Sequence, residues 1–140
     1  MEMMKKMAII MVLLALCIPA LAVDVPDMVG KWTGAVNGVA WSKNTDYQTT
    51  GNVEYWDSTY TIIIDEQNGT RFSGKMISDS NPVHTEVFLG IIGSDNESIT
   101  MVDENDYYWG LLKSPNEIEL FRQGIDIHEM DVATGTFTKE

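Results

Sequence analysis

Chemistry in this sequence would have to come from few side chains. The histidines are His84 and His128, the single cysteine is Cys17, and Arg122 is one of nine basic residues set against twenty-one acidic ones. Nucleophilic catalysis needs a base beside the nucleophile, and neither histidine stands in a G-x-S-x-G, Cys–His or H-E-x-x-H context. His128-Glu129 lacks the second histidine four residues on, which excludes a zincin-type site. Asp103-Glu104-Asn105-Asp106 resembles the start of a calcium loop, but Tyr108 stands at the sixth position, where that loop requires glycine. The segment reads as a polar hairpin turn, and no metal or cofactor is assigned. Carboxylate pairs are too frequent in so acidic a chain to mark a glycosidase. These observations predict a protein that is not an enzyme. Arg122 has another use, because a guanidinium holds a carboxylate through two parallel hydrogen bonds or lies on an aromatic face.

The elements that must position these groups are strands. Segments rich in Val, Ile, Thr and aromatic residues recur between turn clusters, and no window sustains the apolar stripe of a helix. The expected strands are 30–36, 58–65, 70–77, 84–92, 98–103, 107–112, 117–123 and 130–139. Turns at 65–69, 93–96, 103–106 and 114–116 carry the Gly, Asn, Asp and Pro that such geometry requires. Eight antiparallel strands with short connections close into an up-and-down barrel or pack as two sheets. Closure removes the exposed edges and is the predicted fold. The Cys…Trp…Cys spacing of an immunoglobulin sandwich is absent.

Ahead of the strands, Lys5 and Lys6 precede the apolar run Met7–Ile18, which ends at Pro19 and Ala20-Leu21-Ala22. This is the three-part pattern of an export signal. Residues 1–22 are expected to be removed, leaving one domain over 23–140 that is secreted or held at the extracytoplasmic cell surface and does not span a membrane. Cys17 would leave with the signal, so the domain must be held by its core rather than by a disulfide. The formal charge of −12 excludes nucleic acid as a partner, since a phosphate backbone needs a basic stripe. Two Asn-x-Ser/Thr sequons, at Asn68 and Asn96, fall in turns.

Val29-Gly30-Lys31-Trp32-Thr33-Gly34 resembles the Gly-x-Trp opening of lipocalins, avidins and related calycin barrels. The resemblance implies that Trp32 plugs the closed end of the barrel beneath a basic residue of the last strand. Lys139 has the parity for this, because Ala133, Gly135, Phe137 and Lys139 alternate on one face. The longer opening from Val25 also resembles small exported proteins of methanogenic archaea. Thr33 and Gly34 stand where avidins carry polar biotin contacts, which argues against biotin.

With Trp32 at the closed end, connections 37–57, 78–82, 103–106 and 123–129 surround the open one. Segment 37–57 exceeds an ordinary hairpin loop, and its Trp41, Tyr47, Tyr55 and Trp56 predict a lid. Alternation places Val36, Tyr60, Ile62, Ile64, Phe72, Met76, Ile118, Leu120 and Arg122 inside, together with Tyr107, Trp109 and Leu111. Glu86 facing out would place Val87, Leu89 and Ile91 inside and leave Phe88 exposed. Acidic residues cluster around the open end, among them Asp57, Asp79, Asp103, Asp106, Asp126 and Asp131. The leading expectation is a barrel that binds a small apolar or amphipathic ligand at its open end through Tyr60, Tyr107, Trp109, Arg122 and Trp41. The alternative is a filled, non-enzymatic barrel whose partner is a protein of the cell envelope.

Overall fold

Short alternating segments bounded by turn residues form eight strands in the computed structural model, which describes residues 24–43, 51–79, 83–125 and 129–140. They are β1 (Gly30–Ser42), β2 (Asn52–Asn68), β3 (Arg71–Ser78), β4 (His84–Ile92), β5 (Ser98–Val102), β6 (Asp106–Ser114), β7 (Glu117–Ile125) and β8 (Glu129–Lys139). Each pairs antiparallel with its neighbour in sequence, and β1 pairs with β8, so the sheet closes into an up-and-down barrel. Closure leaves no edge strand, as the strand count predicted. Among the described residues no helix is long and apolar enough to cross a membrane. The export-signal segment 1–22, Tyr47, Asp126 and His128 lie outside the described residues.

One expectation about the backbone changes. The long connection after the first strand is mostly strand, because β1 and β2 stay paired from Gly30 opposite Ile64 to Ser42 opposite Asn52. Its aromatic residues are therefore set by strand parity rather than folded as a lid. Trp56 points inward against Gly38, while Trp41 and Tyr55 line troughs on the outer wall.

Two walls face opposite to the expected direction. On β4, Phe88 and Ile92 are buried while Val87, Leu89 and Ile91 face solvent. Phe88 packs edge to face with Phe72 at 6.2 Å, which fixes that side as the core. On β6, Asp106, Tyr108 and Gly110 point inward, and Tyr107, Trp109 and Leu111 point out. The cause is a bulge between Leu112 and Ser114 in the β6–β7 hairpin. A regular continuation from Ser114 opposite Glu117 would set Trp109 opposite Arg122. The extra residue sets Tyr108 there instead.

The closed end is as the Gly-x-Trp resemblance implied. Trp32 is fully buried, its indole N–H donates to the Met28 carbonyl at 2.9 Å, and Lys139 Nζ lies 5.4 Å from the ring centroid. Gly30 makes this cover possible, since it holds a φ of +136° and any Cβ would press on the Lys139 side chain. Ile62, Ile64, Phe72, Ile99, Ile118 and Phe137 complete the core around it. Replacing Trp32 with alanine removes the largest buried side chain and leaves a void that the closed sheet cannot collapse around. We expect a loss of about 3–5 kcal/mol in urea unfolding followed by circular dichroism.

Candidate functional site

Parity on β7 carries Ile118 and Leu120 into the core and Arg122 to the open end of the barrel, on the same inner face. The register then brings carboxylates to it from both sides. Asp106 of β6 receives the Arg122 Nε–H at 2.7 Å, and Asp131 of β8 lies 3.4 Å from Nη1. The two carboxylate side chains are only 4% and 7% exposed. Gly124, across from both, leaves the space they fill, because a Cβ there would strike the Asp131 and Asp106 oxygens. The same Nη1 that faces Asp131 donates to Tyr60 Oη at 3.5 Å.

A second tier holds the first. Asp103 Oδ1 accepts the backbone N–H groups of Asn105 and Asp106 at 3.0 and 2.7 Å, which builds the polar turn expected at 103–106. Its Oδ2 accepts the Tyr108 hydroxyl at 2.7 Å. Glu86 enters from β4, half-buried, with His84 at 3.6 Å as an exposed ion-pair partner. The carboxylates of Glu86, Asp103 and Asp106 have oxygens within 4.8 Å of one another. Those of Asp103 and Asp106 already accept hydrogen bonds from the backbone, Tyr108 and Arg122, which leaves Glu86 as the carboxylate turned to the open side.

Burial and charge act against each other here. Desolvation raises Asp106, Asp131 and Glu86 above the usual carboxylate range, although the Arg122 charge pulls each back. Burial alone would lower Arg122, but Asp106 and Asp131 outweigh it and hold the guanidinium above its ordinary value. Burial also raises Tyr60 and Tyr108, the latter further through its hydrogen bond to Asp103. Perturbed acids gathered at one opening mark that end as the candidate site.

The cavity beside them is small. A space of about 150 Å³ opens between Tyr60, Met76, Ser78, His84, Glu86, Asn105, Asp106 and Arg122. Deeper in, between Val36, Leu120 and Phe137, only about 20 Å³ remains, room for a single water. Among the described residues, the interior above Trp32 is filled by side chains, apart from this small space. Of the residues expected to contact a ligand, Tyr60 and Arg122 meet at this opening. Trp41 faces an outer trough, and Tyr107 and Trp109, 45% and 43% exposed, lie on the outside wall. Trp109 stacks there on Phe121 at 4.2 Å. Tyr108, Asp106, Asp131 and Glu86 take the inward places instead, and the readable cue was Arg122, whose cross-strand neighbours must share its face.

A closed, eight-stranded up-and-down barrel with one apolar, plugged end and one charged, open end is the class that this fold and site define. No family model matches the chain, and no curated protein matches it in sequence. A solved structure that it is similar to is an S-type phycobiliprotein lyase from Guillardia theta, with a TM-score of 0.35 and 7% identity over 81% of this chain and 88% of that one. That finding corrects the expectation that the protein is not an enzyme, which no longer stands. A likeness at this level carries no activity to this chain.

Two outcomes follow from the charge cluster. Arg122→Met leaves two buried carboxylates without their cation and should cost about 3–5 kcal/mol in denaturant unfolding. The pH dependence has a definite sign. Carboxyls raised by folding bind protons more readily in the folded chain, so stability falls as pH rises from the ordinary carboxylate range through their raised values. Exposed Asp79, Asp95 and Glu140 are lowered by hydrogen bonding and act oppositely, losing their contribution as pH falls below that range. The melting temperature should therefore decline as pH rises above the ordinary carboxylate range. Asp131→Asn should flatten the decline more than Glu117→Gln, which removes the same charge from the exposed surface.

Proposed function

We propose that the protein is an exported barrel that binds a small, cation-bearing molecule at its open end. The observation that carries this reading is the 150 Å³ cavity whose wall holds Glu86 and Asp106 against Arg122. Arg122 is engaged by Asp106 and Asp131, so an incoming carboxylate would have to displace a buried ion pair. An ammonium group would instead meet Glu86 and the acceptor side of Tyr60 and Asn105. A cavity of this volume accommodates about one aromatic ring, which sets the size of the molecule. Export rests on the pattern of residues 1–22, and the acidic composition favours the approach of cations by steering.

Thermal shift with benzylamine and benzoate tests the reading. Benzylamine should raise the melting temperature in a concentration-dependent way, and benzoate should not. A stabilisation of roughly 2.7 kcal/mol is the expectation at a hundredfold excess over Kd. Glu86→Gln should weaken benzylamine at least tenfold. Silence towards both compounds, or a response to benzoate alone, would overturn the proposal.

A further inference from the structure

The outward rows of β4 and β6, with Val102 between them, form an apolar face that neither the core nor the open end uses. The register makes it continuous, because Leu89 lies opposite Val102 and Val102 opposite Tyr107, while Ile91 and Trp109 flank Thr100. Val87 and Leu89 are 73% and 63% exposed, and Ile91, Val102, Tyr107, Trp109 and Leu111 are each more than a third exposed. Together these residues leave on the order of 700 Å² of accessible surface, most of it apolar. That exceeds the few hundred Å² a monomer ordinarily shows and approaches the roughly 800 Å² each partner buries in a standard interface.

We propose that this face binds a second copy of the chain, in a two-fold dimer whose axis passes beside β5. Area and charge both select that occupant. Two such faces together would bury roughly 1,400 Å², within the standard range. The outward positions from Thr85 to Ile91, Ser98 to Val102 and Tyr107 to Leu111 hold no charged residue in a chain of formal charge −12. Two copies repel over most of their surfaces and meet here without charge. The rows themselves hold no charged group with which to select a chemically different partner; Arg71 and Lys75 border them on the β3 side and Glu119 on the β7 side, and a row of Val, Leu, Ile and aromatic side chains is complementary to itself. Two sheet faces packing at about 10 Å separation, with the same residues on both sides of the axis, satisfy the isologous requirement.

Sedimentation equilibrium on the purified protein, with circular dichroism as a check on folding, tests the proposal. The parent should run at twice the chain mass, and Leu89→Asp should halve that mass with an unchanged spectrum. Val132→Asp, which charges the exposed wall of β8, should leave it at twice. Val102→Cys in a Cys17→Ser background places one thiol beside the axis and should give a dimer on oxidation that Leu89→Asp abolishes. A monomeric parent at about 100 μM, well above the Kd expected of a standard interface, overturns the proposal. So does a dimer that survives Leu89→Asp but not Val132→Asp.

Discussion

One guanidinium determines how the open half of this barrel is built. Arg122 lies between Asp106 and Asp131, on the two strands that flank its own, and each of the three charges would be costly to bury alone. Held together they force several neighbouring choices. Position 124 must lack a side chain, Tyr108 must give its hydroxyl to Asp103, and the turn at 103–106 must hold its carboxylate against its own backbone. The apolar half has no such dependence. Around Trp32 no buried ion pair is involved among the described residues, and most of the stability comes from buried apolar area.

The two ends thus separate stability from chemistry. The plugged end buries the aromatic and aliphatic bulk under Lys139, while the open end keeps acids in states that water would not favour. Such a site is expensive, and the expense is tolerated because the sheet is closed and each strand is paired on both sides. A barrel is a rigid frame for a buried polar cluster, since β6, β7 and β8 cannot separate to admit water without breaking the ring.

Much of this was legible in the residues. Strand number, closure and the inward course of Tyr60 and Arg122 follow from alternation and turn chemistry, the burial of Trp32 was implied by the Gly-x-Trp resemblance, and the structure agrees with each. Of the groups around Arg122, Asp131 shares the face read on β8 from Ala133 to Lys139, whereas Asp106 and Glu86 were not legible because β6 and β4 are apolar on both faces. In Tyr107-Tyr108-Trp109 alternation offers no choice, and bulk favoured the wrong side. Inner space on β6 is limited by Gly110 meeting Leu120, and the polar pair Asp106 and Tyr108 answers Arg122. Local pattern says which strands exist, whereas the assignment of faces required the pairing across the sheet.

The bulge between Leu112 and Ser114 acts as a phase marker for the whole wall. It counts one residue more on β6 than on β7, and that single count decides which of two opposite surfaces the strand shows to water. With the count removed, the same letters would spell a different protein. Its aromatic row would line the lumen, its acids would stand outside, and Arg122 would face an indole ring instead of a carboxylate. Inside and outside in this barrel are therefore separated by one amino acid of length rather than by composition, so an insertion or deletion in this turn would reach further than most substitutions elsewhere in the chain.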